Sequence, residues 1–423
     1  MKETENRGRV PRLRFPEFRE SGEWETKRLE DFAVIVRGGS PRPIDEFITN
    51  DANGLNWLKI GDIDKESKFV INTQEKVIPA ALTKTRVVNP GDLILSNSMS
   101  FGRPYILEIK TCIHDGWIAV SEIDATIDRD YIYYLMMTSI SQKYFSNNAA
   151  GSGVQNLNVD IIKFLPVLYP NKKEQQKIAD CLSSFDDLIT LEAQKLNALK
   201  THKRGLMQQL FPAEGETVPR MRFPEFRDAW QIRKLEEIAD FFKGKGISKA
   251  DIDPQGQTPC IRYGELYTEY NESIKNVFSR TNVSPSELFL SRANDVIVPA
   301  SGETKIDIAR ASCVKLDQVA LGGDLNVLRP NIDGLFLSYI LNGPAKEEIA
   351  RTAQGDTVVH LYASQLKLID LPVPGHEEQQ KISDCLSSLD DLITAQAQKV
   401  GALKTHKKGL MQQLFPVLDD TPG

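Results

Sequence analysis

Two constellations have the residue types of a metal-dependent nuclease: Asp295 with Glu303-Thr304-Lys305, and Asp92 with Glu108-Ile109-Lys110. Such a site uses two carboxylates to hold Mg2+ and a lysine to orient the attacking water. The spacing argues against it, because the aspartate precedes the glutamate by 8 residues in one case and 16 in the other. Both aspartates stand instead in one setting, Pro90-Gly91-Asp92-Leu93-Ile94-Leu95 and Ala293-Asn294-Asp295-Val296-Ile297-Val298, which reads as a turn entering an apolar strand. No GxxxxGK(S/T) phosphate loop occurs, so ATP hydrolysis by this chain is not expected. The Asn/Asp-Pro-Pro-Tyr/Phe tetrapeptide of amino-methyltransferases is also missing. His114, His202, His360, His376 and His406 are scattered. The cysteines (Cys112, Cys181, Cys260, Cys313, Cys385) are odd in number and form no CxxC pair, which argues against a disulfide framework and a zinc site. No catalytic residue and no metal ligand is assigned.

Several loops carry side chains suited to hydrogen bonding with base edges and phosphates. Glycines permit close backbone approach, Arg and Lys pair with guanine or phosphate, and Asn or Gln can bond adenine in bidentate fashion. One set of loops offers Gly38-Gly39-Ser40-Pro41-Arg42, Ser96-Asn97-Ser98, Arg103, and Gly151-Ser152-Gly153 followed by Gln155-Asn156. A second set offers Lys243-Gly244-Lys245-Gly246-Ile247-Ser248-Lys249, Arg262-Tyr263, Ser301-Gly302-Glu303-Thr304-Lys305 and Gln354-Gly355-Asp356. The candidate DNA-contacting side chains are therefore Ser40, Arg42, Asn97, Ser98, Arg103, Gln155 and Asn156, with Lys243, Lys245, Ser248, Lys249, Arg262, Tyr263, Thr304 and Lys305. Most surface loops share this composition, and the lysine-glycine run at 243–249 stands out most. Net charge is −6, which repels phosphate. Either the basic residues gather on one face, or partner subunits supply positive surface.

What must position these loops is a duplicated frame. Residues 174–212 and 378–416 differ at only seven of 39 positions, and 10–19 matches 218–227 except at Leu13 and Met221. The chain is thus two halves, roughly 10–212 and 218–416, whose interiors diverge while their ends stay matched. Each interior mixes short β-like runs with turns: Val87-Val88, Leu93–Leu95 and Tyr105–Ile109 in the first, and Val296–Val298, Ile306–Ala309 and Val314–Leu316 in the second. A helix is predicted after each, over Asp130–Tyr144 and Leu335–Ala350. The interiors read as α+β domains with an irregular sheet.

In the repeated segment apolar residues step by 4 and 3: Ile178, Leu182, Phe185, Ile189, Leu196, Leu199, Leu206 and Leu210, then Ile382, Leu386, Leu389, Ile393, Val400, Leu403, Leu410 and Leu414. That is a heptad seam, rising about 48 Å at ~1.5 Å per residue. Its bland reading is a structural coiled coil without a binding role. Since each helix follows its own domain, a two-fold arrangement requires the pair to be antiparallel. The greatest overlap faces Ile178 with Leu414, Ile189 with Leu403, Leu199 with Ile393, and Leu210 with Ile382. Polar Glu192 then faces Val400, and Gln396 faces Leu196. Lys203 meets Leu389 and Lys407 meets Phe185, with lysine stems on apolar surface and charges expected in water. Asp186, Asp187, Lys195, Lys200, His202 and Arg204 are expected on a solvated or partner-facing surface.

The 423 residues suit two to three domains. No stretch approaches the roughly 18 apolar residues of a membrane helix, the charged start is unlike a signal peptide, and a cytoplasmic location is expected.

With EQQKIADCLSSFDDLIT…LKTHKRGLMQQLF and its second copy, each after Phe164-Leu165-Pro166 or Ile369-Asp370-Leu371-Pro372-Val373-Pro374, the chain resembles the specificity subunits of Type I restriction-modification systems. The resemblance runs from about Arg14 to Pro416, and the Arg-Phe-Pro-Glu-Phe segments are its weaker markers. It implies two target recognition domains (1–170 and 213–374) in pseudo-two-fold repeat, separated by two antiparallel coiled-coil helices (171–212 and 375–416), with a tail at 417–423. Each domain would read half of a bipartite double-stranded DNA site, and the helices would dock two methyltransferase subunits. S-adenosylmethionine, Mg2+ and ATP would belong to those and to restriction subunits, with no cofactor in this chain. The alternative is a two-headed protein-binding adaptor without DNA specificity.

Overall fold

A computed structural model describes residues 9–64, 66–97, 102–149, 156–213, 215–355 and 357–416. The chain divides into two compact units, one comprising residues up to Glu192 together with those from Lys399 onward, the other Ala193–Gln398.

In the first unit a five-stranded sheet runs Val34–Arg37, Trp117–Ser121, Leu93–Ser96, Pro104–Leu107, Phe69–Val70. All its pairings are antiparallel except that of Phe69–Val70, which lies parallel to Pro104–Leu107. Successive side chains point to opposite faces of a strand, and here both faces are covered. Leu93, Leu95, Ile106 and Ile118 pack with the helical Tyr131, Ile132 and Leu135. Ile94, Tyr105, Leu107 and Trp117 pack on the other side with Leu58, Val88 and Ile113, which belong to a second five-stranded sheet. Double-sided burial explains why these strands read as unbroken apolar runs. Each such side chain contributes about 1.5–3 kcal/mol.

The second unit repeats the plan. Its five-stranded sheet runs Ala239–Lys243, Leu325–Pro330, Val296–Pro299, Ser312–Val314, Ser273–Ile274. Val296, Val298 and Leu328 face the helical Phe336, Leu337 and Ile340, while Ile297, Val314 and Val327 face Ile261 and Leu321 of a four-stranded sheet.

Local capping corrects three of the elements expected from sequence. The helix read over Asp130–Tyr144 is two, Arg129–Met137 and Ser139–Asn148. Thr138 breaks it, its hydroxyl donating to Leu135 O (2.7 Å) and accepting from Ser141 N (3.2 Å). That is the competition by which Thr side chains draw backbone out of helix. Leu335–Ala350 likewise splits into Gly334–Asn342 and Lys346–Thr352 around Gly343-Pro344-Ala345, where proline lacks the donor a helix needs. Ile306–Ala309 is no strand: Thr304 Oγ1 accepts from Asp307 N (3.1 Å) and starts a short helix, Lys305–Ile308. The strands expected at Tyr105–Ile109 and Val314–Leu316 lie slightly earlier, at Pro104–Leu107 and Ser312–Val314.

Each repeated segment forms one 39-residue helix, Lys172–Leu210 and His376–Leu414. In the first unit the two run antiparallel. Phe185 lies against His406 (ring centroids 5.3 Å apart), Asp186 bonds Lys407, and Glu192 bonds Lys399 (2.5 Å). In the second unit Lys203 pairs with Asp390 at 2.6 Å, and Leu210 shares a core with Ile382 and Leu386. Ile178, Leu182, Leu210, Ile382, Leu386, Leu389 and Leu414 are buried. Phe185, Ile189, Leu196, Leu199, Ile393, Val400 and Leu403 are half-buried.

The seam lysines do not extend into water as expected. Lys407 Nζ bonds Asp186 (2.5 Å), and Tyr134 Oη donates to the same carboxylate (2.6 Å). In the second unit Lys203 and Tyr339 do the same with Asp390, each at 2.6 Å. Both lysines and both aspartates are largely buried, so Asp186 also leaves the solvated set. A charge this desolvated needs a partner, and tyrosines of the helices Arg129–Met137 and Gly334–Asn342 complete the site.

The repeated Arg-Phe-Pro-Glu-Phe segments act as fasteners. Arg14 grips Glu174 through two bonds of 2.7 and 2.8 Å, and Arg222 grips Glu378 through two of 2.7 Å. Both glutamates are buried.

Candidate nucleic-acid interface

In the first unit Gly38 leaves its strand and crosses to the 114–116 loop, donating to Trp117 O (2.9 Å), while Gly39 donates to Ile113 O (3.1 Å). A Cβ on Gly38 would meet His114 O at 2.1 Å. In the second unit Gly244 donates to Leu325 O and Lys245 to Leu321 O, both at 2.9 Å, and a Cβ on Gly244 would meet Gly322 O at 2.0 Å. The close approach these glycines allow is therefore to the protein's own backbone.

That crossing brings several candidates together in the first unit around a residue the sequence did not single out, Asp115. Ser40 Oγ donates to Asp115 Oδ1 (2.7 Å), and Arg42 reaches Oδ2 (3.3 Å). Arg37 and Asn97 Nδ2 bond its main-chain oxygen at 2.8 and 3.0 Å. The Ser40 hydroxyl holds the Asp115 carboxyl below its usual range, with His114 and Arg37 adding to the effect. Burial pushes the pKa of neighbouring His114 down against the pull of Asp115. Its Nδ1 accepts from Gly116 N at 2.8 Å, which fits a neutral ring. Arg42 is 80% exposed, whereas Asn97 is buried and occupied. Leu157 N donates to Asn97 O (2.9 Å), which brings exposed Asn156 beside the cluster. Arg103 lies elsewhere, over the Tyr105 ring and within electrostatic reach of Lys407 on the second long helix. Ser98 and Gln155, with the 151–153 run, lie outside the described residues.

In the second unit the candidate loops share supports. Gly323 N donates to Gly246 O (3.0 Å) and Gly322 N to Ile261 O (2.9 Å), which sets the 243–249 run beside Arg262. Lys243, Lys245, Ser248 and Lys249 are exposed. Ser248 bonds Asp251 (2.7 Å) and caps a short turn. Tyr263 stands edge-on to Tyr267 (6.5 Å), and Tyr267 Oη donates to Ser301 O (3.0 Å). Thr304, capping its helix, and Lys305 are both exposed. Arg262 lies near Glu265 (3.5 Å).

Among residues beside these loops, Asp115, Lys59, Tyr267 and Tyr362 were not singled out from the sequence, and His360 was noted only as one of the scattered histidines. One available signal was Trp57-Leu58-Lys59-Ile60-Gly61-Asp62 against Cys260-Ile261-Arg262-Tyr263-Gly264-Glu265. In both, the acid accepts the basic residue's N–H at 3.0 Å. The contacts of Asp115 with Ser40, and of Tyr267 and His360 with Ser301, join loops far apart in the chain and left no local trace.

The nuclease-like aspartates are turn residues. Asp295 accepts from Arg292 N (2.8 Å) and is gripped by Arg329 through two bonds of 2.8 Å. Asp92 accepts from Asn89 N at the same 2.8 Å. Among the described residues no group of three or more His, Cys, Asp or Glu side chains is placed to hold a metal. No described helix is long and apolar enough to cross a membrane. A groove of about 780 Å³ at the end of the first long helix sets Arg204, Arg220 and Arg351 among Glu216, Glu347, Glu348 and Asp370. Its acids outnumber its arginines, so it is no phosphate cradle.

The family described as Type I restriction modification DNA specificity domain matches the chain twice, over residues 21–201 and 227–404. The MjaVIII Type I restriction enzyme specificity subunit of Methanocaldococcus jannaschii is 24% identical over 421 residues, covering 95% of this chain and 93% of that protein. The MjaIX specificity subunit of the same organism is 22% identical over 406 residues, covering 93% and 92%. The crystal structure of a Type I restriction-modification S subunit from M. genitalium superposes with a TM-score of 0.61 at 15% identity, covering 96% of this chain and 99% of that one. At that identity the likeness speaks for the fold alone.

Proposed function

Because the chain belongs to the Type I restriction-modification DNA specificity family, with one specificity domain in each half, we propose that residues 1–170 and 213–374 each read one half of a bipartite double-stranded DNA site. The observation that carries this is the pairing of a nearly invariant frame with divergent loops. Each unit repeats the strand plan, the Arg–Glu fastener and the Tyr–Asp–Lys site, while the side chains at the loop ends differ. The chain is a specificity subunit rather than a catalyst. Methylation and cleavage belong to partner subunits: two methyltransferase subunits docking on the helices 171–212 and 375–416, and restriction subunits beyond them. S-adenosylmethionine, Mg2+ and ATP are used by those partners in the cytoplasm. Partners also offset the net charge of −6, since DNA affinity comes largely from phosphate contacts. We propose Ser40, Arg42, Asn156, Lys243, Lys245, Lys249, Arg262, Tyr263 and Lys305 as side chains that contact DNA.

The test is methylation mapping of host DNA with the gene present and absent, followed by exchange of residues 25–165 for those of a relative. The expected result is a bipartite motif that depends on the gene, with one half changed by the exchange and the other kept. A motif that is not bipartite, or both halves changing together, would refute the reading. No observation favours a protein-binding adaptor.

A further inference from the structure

One position in each unit combines a fixed main chain with a polar side chain whose type differs between the halves. In both units the strand entered at the turn aspartate is followed by a residue whose main chain makes the same two bonds. Asn97 N donates to Gly116 O and Asn97 O accepts from Leu157 N, both at 2.9 Å. Ala300 N donates to Asp324 O (2.8 Å) and Ala300 O accepts from Leu361 N (3.0 Å). Alanine has no side chain to bond a base, so what this position shares between the units is its backbone. The residue before each donor is what varies, Asn156 in one unit and His360 in the other.

His360 is held from two sides. It exchanges main-chain bonds of 2.9 and 2.7 Å with Gln354, and it pairs with Ser301 in a short antiparallel ladder. Its Nδ1 lies 3.3 Å from Ser301 Oγ, and its ring stacks on Tyr362 (6.1 Å, 23°). Tyr362 is 53% exposed, and His360 itself is half-buried. A side chain held this way presents a hydrogen-bonding atom with little entropy left to lose, as a base-reading contact requires.

We propose that His360 is a specificity-determining residue of the second unit: with Nδ1 engaged by Ser301, Nε2–H donates to a purine acceptor, N7 or guanine O6. Tyr362 braces the imidazole. Asn156 is its counterpart in the first unit, where a carboxamide suits adenine instead. The proposal rests on the reading of the chain as a bipartite DNA reader. It adds which residue decides one base.

The test uses the full chain assembled with its methyltransferase subunits in the host, mapping methylated motifs for wild type, His360→Ala and His360→Gln. Loss of one good base contact is worth about tenfold or more in discrimination. His360→Ala is therefore expected to raise methylation at sites altered in one base of a single half-site by about tenfold relative to the intact site, leaving the other half-site unchanged. If His360→Ala methylates nothing, His360→Gln, which keeps the ladder but presents a carboxamide suited to adenine, is expected to shift the preferred base at one position of a single half-site. An unchanged motif, or both half-sites relaxing together, would overturn the assignment. A wild-type chain that gives no bipartite motif would instead overturn the underlying reading.

Discussion

Arg14→Ala measures how firmly the repeated N-terminal segment holds its unit. Arg14 makes two bonds to Glu174, at 2.7 and 2.8 Å, and a third to Gly22 O at 2.6 Å. The side chains are 7% and 1% exposed. Removing the guanidinium leaves a desolvated carboxylate without its counter-ion, which costs about 3–5 kcal/mol. Removing both charges costs less, because two desolvation penalties vanish along with the attraction. In a unit of this size each kcal/mol moves the melting temperature by about 2–4 °C. Arg14→Ala should therefore lower the first unit's transition by about 6–20 °C, and Arg14→Met with Glu174→Leu should lower it less. Scanning calorimetry gives the shift, and hydrogen exchange assigns it to residues 9–192. The matched variant Arg222→Ala should move the second unit instead. A shift below about 2 °C, or a double variant weaker than the single one, would refute the view of this pair as a buried fastener.

Lys203 faces two carboxylates, Asp390 at 2.6 Å and Glu272 at 3.0 Å, whereas Lys407 faces Asp186 with Lys68 and Arg103 nearby. Lys203→Met should accordingly cost at least about 1 kcal/mol more than Lys407→Met in urea unfolding, and equal losses would contradict that asymmetry. His114 is held below its usual pKa by burial, opposed by Asp115 and Asp62 and assisted by Lys59. Its folded-state value lies under the unfolded one, so its stabilising effect is present above about 6.5 and is lost as pH falls through the lowered value. Melting of the first unit should thus decline more steeply from pH 7 to 5 in wild type than in His114→Gln, and parallel declines would exclude the effect. Gly244→Ala must displace Gly322 O, 2.0 Å from the new Cβ, and should cost about 1–3 kcal/mol together with DNA affinity in a gel shift. Gly401→Ala, in open space on the second long helix, should stabilise by about 0.5–1 kcal/mol, and calorimetry distinguishes the two.

The sequence by itself determined the features whose physics is local or periodic. Duplication was plain in the 174–212 and 378–416 copies, and a seam stepping by 4 and 3 from Ile178 to Leu210 has no stable form but a helix buried along one stripe. Asp92 and Asp295 were legible as turn residues because an acid three positions after the N–H it accepts is a short-range pattern. Local competition already blurred the rest: Thr138 and Thr304 spend their hydroxyls on nearby backbone, and neither the split helix nor the helix at Lys305–Ile308 announced itself.

Only the tertiary structure decided which loops meet. Ser40 finds Asp115 across 75 residues and Arg14 finds Glu174 across 160. His360 becomes a candidate only once Ser301 and Gln354 lie on either side of it. Such contacts depend on burial and approach rather than on neighbours in the chain. A carboxylate in water is indifferent to an arginine 160 residues away, but the same carboxylate stripped of solvent requires it. The seam lysines show this directly. An apolar stripe with a lysine in it reads as a stem on a surface with its charge in water, until the domain's tyrosine and the facing helix's aspartate close over it and leave the ammonium no solvent to reach.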